Sequence, residues 1–426
     1  MSNNRPSASD YAAQPYGNNG AQAANWQPPD NKKSRRKSPF LWIGILLALL
    51  IIIGGSIVAF LKFNQPSAKT PPVPNSISGH AFFVNSGQIS VTSNVGIADE
   101  MQISLQNIHD PAAGKSYYVW LLSDSKTQAF PLLLGKLPVQ NGEATLTYPG
   151  DAHHTDILAT YSRFLVTEED AGMTPVNYTL DKSAWIFGAA FSEQPNPLDT
   201  LDHFSLLNHL RHLLAQDPKL KIAGLVGGLD IWLFRNTQKL LEWAGSARDS
   251  NEPAFKQRQL VRMLDYLDGS QFVGTEKLPA GLAAVEVDPT IARVGLLEID
   301  PTQTPPGYLK HIGNHLREIT QSPGVTADQK ALAIRINTAI DNVQFWLTNV
   351  HKDAEVLLQM PQAQLIQPAA TKIFDDMFTQ TNNAFIGQTD PGTLQVKEGV
   401  AQIHYNIQRL ATFAIQSCTI KGVTCG

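Results

Sequence analysis

Two histidines three positions apart are the residues of this sequence best placed to do chemistry. His209 and His212 lie in the segment LLNHLRHLL. The i, i+3 spacing brings both imidazoles to one side of a helix, close enough to share a metal ion. The same segment places Leu206, Leu210 and Leu213 on one stripe, so the histidines also fit the polar edge of an ordinary amphipathic helix. We keep His209 and His212 as candidate metal ligands, with the polar edge as the simpler alternative.

A short repeat involves one of these histidines. His209-Leu210-Arg211 recurs as His315-Leu316-Arg317, at an offset of 106 residues. The pattern Asn-x-Gln at residues 236–238 recurs at residues 342–344 with the same offset. Two matches in register indicate a duplicated helical unit, although chance similarity between helices is an alternative.

Recognised catalytic patterns are absent from the sequence. No glutamate is followed by histidine three residues later, as a di-iron helical bundle requires. The chain also lacks His-Glu-x-x-His and Gly-x-Ser-x-Gly. The segment DAHHTD at residues 151–156 predicts a polar turn, with a weak cation site as the alternative. We therefore predict a protein that is not an enzyme and that has neither catalytic residues nor a cofactor.

The N-terminal region predicts a membrane anchor. Residues 40–61 contain no charged side chain, and such a length of helix crosses about 30 Å of hydrocarbon. Basic residues cluster immediately before this stretch, at Lys32, Lys33, Arg35, Arg36 and Lys37. The positive-inside bias then keeps residues 1–38, predicted to be a disordered tail, in the cytoplasm and exports the rest. The prediction is a single-pass cell-membrane protein with a transmembrane helix at 40–62, whose first partner is the lipid bilayer.

The exported part divides into two kinds of pattern. After a Pro/Ser linker at 63–79, short alternating strands recur through residues 80–192 and indicate an antiparallel β-sandwich or a barrel, of which we prefer the sandwich. Helical periodicity then dominates residues 200–417 and indicates an α-helical bundle. The fold class expected is thus one transmembrane helix, a β-sandwich and an all-α bundle. Each exported part is long enough to have a core of its own.

The chain ends in a cysteine pair. Cys418 and Cys425 are its only cysteines, and an even pair in an exported domain predicts a disulfide that closes residues 418–426. A formal net charge of −4 gives no basis for binding nucleic acid.

Residues of the strand region resemble the extracytoplasmic domain of the anti-sigma-K factor family. The likeness rests on the aromatic segment YYVWL at 117–121, the turn Leu134-Gly135, the strand GEATL at 142–146 and the closing segment LVTEEDAGMTP at 165–175. It implies a β-domain over about residues 80–192. The core residues it implies are Tyr118, Trp120, Leu134, Gly135 and Val166.

The resemblance also implies a role in envelope signalling. Members of the family carry a cytoplasmic zinc-associated domain with a His-x-x-x-Cys-x-x-Cys motif, whereas residues 1–38 contain neither histidine nor cysteine. We therefore expect an extracytoplasmic sensing or interaction module that contacts another membrane or envelope protein and has no sigma-binding part of its own, which makes sigma-factor contact doubtful. The alternatives are a structural envelope protein contacting the cell wall and a helical-bundle protein that binds a metal or another ligand.

Overall fold

A computed structural model describes residues 77–87, 93–127, 129–273, 278–419 and 425. The strands within these ranges are β1 (Gly79–Val84), β2 (Glu100–Gln106), β3 (Lys115–Ser123), β4 (Leu132–Leu137), β5 (Val139–Gln140), β6 (Glu143–Tyr148), β7 (Tyr161–Asp170), β8 (Trp185–Ala190), β9 (Gln388–Thr389), β10 (Val396–Lys397) and β11 (Thr412–Ser417). The helices are α1 (Leu206–Leu214), α2 (Pro218–Ile222), α3 (Leu229–Asp249), α4 (Pro253–Asp268), α5 (Tyr308–Ile319), α6 (Ala327–Leu358), α7 (Pro368–Ile386) and α8 (Val400–Leu410).

The strands follow from alternating side chains and well-placed turn residues. In β2, Met101, Ile103 and Leu105 are buried while the residues between them are exposed, as expected for a strand with one face on the core. Asn141 and Gly142 both adopt positive φ, at 56° and 81°, and they join β5 to β6. Asn-Gly is the dipeptide that most favours such a tight hairpin turn.

Nine strands form one antiparallel sheet in the order β4-β3-β7-β8-β11-β1-β2-β6-β5. The sheet curls so that β4 approaches β6, since a Cβ atom on Gly135 would lie 3.7 Å from the methyl groups of Leu146. β11 lies in the middle of the order: it pairs with β1 on one side and with β8 on the other. The last strand within the described residues therefore joins two halves of a sheet whose other strands all precede the helices.

The predicted fold class is wrong in its β part and in the separation of strands from helices. The strands form a single curled sheet rather than a two-layer sandwich, and the helices are inserted between β8 and β11 of that sheet. The all-α region predicted to run to residue 417 ends earlier than expected, because α8 ends at Leu410 and a strand begins at Thr412. The β-branched and aromatic residues of TFAIQS favour a strand, and a six-residue strand is too short to reveal its pairing partner.

The membrane-anchored architecture is likewise not supported. Among the helices that the structure describes, none is long and apolar enough to cross a bilayer. The predicted span at 40–62 and the basic residues Lys32, Lys33, Arg35, Arg36 and Lys37 lie outside the described residues. We therefore withdraw the single-pass, extracytoplasmic assignment.

Sheet and helices share one hydrophobic core. The main buried cluster includes Phe83 and Phe413 from the sheet as well as Leu213, Trp232 and Leu264 from α1, α3 and α4. Phe413 of β11 stacks on Phe191, with ring centroids 4.2 Å apart. Burial of apolar surface in one continuous cluster links the folding of the two parts.

A second, smaller cluster lies on the other face of the sheet. Tyr118, Trp120, Leu122 and Leu165 form it, and Cys418 and Cys425 pack against it. The two cysteines are bonded to each other, with Cα atoms 5.7 Å apart. The disulfide thus packs on the outer face of the sheet, against the cluster to which β3 contributes. β3 itself is buried on both faces.

Four of the five predicted core residues divide between the two clusters. Tyr118 and Trp120 belong to the outer one, where the Trp120 indole donates to Thr167 Oγ1 at 2.9 Å. Leu134 and Val166 are buried in the main core. Gly135 is only half-buried, and its φ of 143° is one that glycine adopts readily.

Candidate metal centre

The candidate centre lies where α1 meets α5. α1 begins with a capping box in which Ser205 accepts from Asn208 N and the Asn208 side chain accepts from Ser205 N. Its leucines face the core and its edge presents His209 and His212. On α5, four-residue spacing brings His311 and His315 to the same side of the helix. Four imidazoles therefore meet at one helix crossing.

Three of the four rings lie against the fourth, His315. Nδ1 of His209 lies 2.9 Å from Nδ1 of His315. The ring centroid of His315 is 5.1 Å from that of His212 and 5.1 Å from that of His311. His315 is therefore the central member of the cluster.

An aspartate faces the histidines from a third element. Asp217 is the N-cap of α2, and its Oδ1 accepts from Leu220 N at 2.9 Å. This capping bond fixes the side chain and directs Oδ2 toward the rings. Oδ2 lies 3.6 Å from Nε2 of His311 and 3.8 Å from Nε2 of His315.

These separations suit ligands around an ion better than they suit hydrogen bonds. A nitrogen–oxygen hydrogen bond is normally about 2.7–3.2 Å long. Ligand atoms about 2.0–2.1 Å from a tetrahedral zinc ion lie about 3.3 Å from one another. One ligand atom from each of His212, Asp217 and His315 lies within 4.8 Å of the other two. A small inward shift of these side chains would complete three protein ligands.

Several buried nitrogens of the cluster have no hydrogen-bond partner among the described residues: Nε2 of His209, Nδ1 of His212, Nδ1 of His311 and Nε2 of His315. Buried polar atoms are almost always paired, because an unpaired one loses its hydration without replacement. Four unpaired imidazole nitrogens in one cluster therefore mark a place where a ligand or an ordered water could bind.

Burial keeps the four histidines uncharged. It lowers the pKa of His209 to about 4 and that of His315 to about 3. Burial also lowers the pKa of His212 and of His311. A neutral imidazole has the free lone pair that a metal ion needs, so all four are in the ligating form at neutral pH.

A second group of possible ligands shares His315. One atom from each of His209, His315 and Glu318 lies within 4.8 Å of the other two. Glu318 Oε2 is 3.5 Å from Nδ1 of His209. The ring of Phe204 packs over the cluster, with its centroid 4.6 Å from that of His212.

The sequence-predicted ligands lie in one histidine cluster, but they fall into different groups of possible ligands: His212 with Asp217 and His315, and His209 with Glu318 and His315. Sequence analysis selected His209 and His212 and missed His311, His315, Asp217 and Glu318. The signal for His315 was present in the 106-residue repeat, since His209 and His315 are equivalent positions of that repeat and are in direct contact. No sequence signal pointed to Asp217, because its role depends on a five-residue helix.

Two further histidines, His351 and His404, are each paired with a carboxylate and not with other histidines. Nδ1 of His404 lies 2.7 Å from Asp230 Oδ2, and its Nε2 lies 2.9 Å from Gln408 Nε2. His351 lies 3.0 Å from Asp268. Each of these imidazoles has its own carboxylate, so neither offers the unfilled ligand set of the α1–α5 crossing.

The histidines and acids of the predicted DAHHTD turn also have partners of their own. Asp151 Oδ1 accepts from the backbone N–H groups of His153 and Thr155. The ring of His154 contacts Asp99 at 2.9 Å. The segment is a turn stabilised partly by its own polar groups, but they are not all solvated as the simpler interpretation expected, since Asp156 is buried.

No protein-family model, curated protein or solved structure matches this chain significantly. The resemblance to the anti-sigma-K family therefore remains a prediction from the sequence.

Proposed function

We propose that this chain is a sensing protein whose signal is a divalent transition-metal ion, bound at the crossing of α1 and α5 by His212, Asp217 and His315. The observation that carries this proposal is the group of buried, uncharged imidazoles whose nitrogens lack partners among the described residues. Burying a polar nitrogen without a partner costs free energy, so such groups are unusual in an apolar helix crossing unless a ligand bonds to them.

The type of ion follows from the ligand set. Imidazole nitrogens with one carboxylate oxygen suit zinc, copper, nickel and iron, whereas magnesium and calcium prefer oxygen ligands alone. Two histidines and one acid also form a familiar three-ligand set for zinc. We therefore expect zinc to bind and magnesium to be rejected.

Burial supports binding rather than catalysis. Asp217 is 1% exposed and His315 is 5% exposed. A catalytic metal ion needs an open coordination position that a substrate can reach. Ligands this deeply buried suit an ion that is bound and does not take part in catalysis. We therefore propose a sensor and not an enzyme.

A route from the ion to the rest of the fold supports sensing. The ligands come from α1, from the cap of α2 and from α5, so an ion would fix three elements together. Arg211, next to His212, donates to both carboxylate oxygens of Asp124 at 2.6 and 2.7 Å and to Leu158 O at 2.9 Å. A change at the cluster would thereby reach the sheet, where a partner protein can detect it.

Zinc titration of the full chain tests this proposal. We expect one tight zinc ion that resists exchange by excess magnesium. His212→Gln and Asp217→Asn should each weaken zinc binding at least about tenfold. Losing a residue that only hydrogen-bonds to a metal ligand already weakens binding by about tenfold or more, and these two residues are proposed to be ligands themselves. His109→Gln is the control, since this exposed histidine belongs to no cluster of possible ligands among the described residues. The absence of zinc binding by the wild-type chain would reject the proposal.

A further inference from the structure

We propose that His209, His315 and Glu318 form an outer station through which a metal ion reaches the buried ligands His212 and Asp217. This inference rests on the proposed function, because it concerns how the same ion enters. It assigns to Glu318 the capture of the ion and to His315 the transfer between the two sets of ligands.

The geometry of His315 makes it the shared ligand. Its Nδ1 lies beside Nδ1 of His209, at 2.9 Å. Its Nε2 lies toward Asp217, with Oδ2 at 3.8 Å. The two nitrogens of an imidazole point away from each other, so one ring can face an ion on either side. An ion held by the outer group is therefore one ring away from the inner group.

Among the possible ligands of the two groups, Glu318 alone is substantially exposed. The side chain of Asp217 is 2% exposed and that of His209 is fully buried, whereas the side chain of Glu318 is 40% exposed. Of the two possible ligand groups found within the described residues, only the one with Glu318 reaches solvent. An ion arriving from water meets this carboxylate first.

Charges of both signs act on Glu318: Asp199 and Asp202 on one side, Arg317 and Lys219 on the other. The entry point is therefore set by the exposure of the Glu318 carboxylate, and a carboxylate at the mouth of a low-dielectric site attracts cations.

Rapid-mixing measurements of zinc loading into the full metal-free chain test the inference. Glu318→Gln should slow loading by about tenfold or more, which is the scale of electrostatic effects on association. Release to an excess of chelator should slow by the same factor, because entry and exit share one route. The equilibrium affinity should then stay within about twofold of wild type, a difference well under 1 kcal/mol. Glu318→Asp, which keeps the charge, should retain most of the loading rate.

Glu355→Gln is a closely matched control. Glu355 is 42% exposed and lies 3.4 Å from Nδ1 of His351, much as Glu318 lies beside His209. Zinc loading by this variant should equal that of wild type. Unchanged loading by Glu318→Gln would overturn the outer station while leaving the proposed zinc site intact. Weaker equilibrium binding with an unchanged loading rate would also overturn it, since Glu318 would then be an ordinary permanent ligand.

Discussion

At the scale of single residues, this protein buries several ionisable groups that have an atom without a hydrogen-bond partner among the described residues. The histidines of the α1–α5 crossing are one case, and Asp265 on α4 is another. Asp265 is fully buried. Its Oδ2 accepts from Glu286 N at 2.9 Å, whereas its Oδ1 has no hydrogen-bond partner within the described part of the chain.

Asp265 should make stability depend on pH. Burial raises the pKa of Asp265 to about 7, whereas an unfolded aspartate titrates near pH 3.9. Between these values the native state binds more protons than the unfolded state, so its contribution to stability falls as pH rises through this window. Asp265→Asn cannot ionise. It should therefore exceed wild type in unfolding free energy at pH 8 by about 1–3 kcal/mol, and match it at pH 4.

Urea unfolding at several pH values provides the measurement for Asp265. Asp341→Asn is the control, because Asp341 is exposed on α6 and should leave the pH profile unchanged. Equal pH slopes for wild type and Asp265→Asn would contradict the assignment of a protonated carboxyl at this position.

At the scale of elements, the sequence predicted local structure better than it predicted partners. The alternation in β2 and the Asn141-Gly142 turn could be read from the sequence, because both depend on near neighbours. The position of β11 could not, since its hydrogen bonds are made to β1 and β8, more than 200 residues earlier. Likewise, helical spacing predicts that His209 and His212 lie on one face of a helix, but it cannot predict which other helix packs against that face.

The link between α1 and the sheet can be measured at Arg211 and Asp124. Both side chains are 18% exposed, and the removal of one partner leaves the other charge largely buried. Arg211→Met and Asp124→Asn should each lower the unfolding free energy by about 2–4 kcal/mol. In a double-mutant cycle, the effect of the double variant should differ from the sum of the two single effects by a coupling free energy of about 1–3 kcal/mol.

The exposed pair of Lys115 and Asp170, 2.7 Å apart on neighbouring strands, provides the control cycle. Because both side chains are well solvated, their coupling should be only about 0–1 kcal/mol. Similar coupling in the two cycles would mean that the Arg211–Asp124 pair contributes no special connection between helix and sheet.

At the scale of the whole molecule, the central place of β11 predicts that sheet and helices unfold together. Phe413 in this strand is 1% exposed and contacts Phe83, Phe164 and Phe191. Phe413→Ala should lower stability by about 3–5 kcal/mol. Because the core is continuous, the loss should appear equally in the strands and in the helices.

Hydrogen exchange read by mass spectrometry separates these regions. Peptides from β1 and β8 and peptides from α3 and α6 should lose protection to the same extent in Phe413→Ala. Phe345→Ala, at a position 63% exposed on α6, should change neither group. Lost protection in the strands with unchanged helices would instead favour two independent folding units.

The central claim is that a metal ion binds at the crossing of α1 and α5, and anomalous diffraction tests it most directly. Crystals of the zinc-loaded protein, recorded on both sides of the zinc absorption edge, should give an anomalous peak about 2.0–2.2 Å from an imidazole nitrogen of His212, from Asp217 Oδ2 and from His315 Nε2. Zinc peaks found only on the protein surface, with this crossing unchanged and unfilled, would contradict the account.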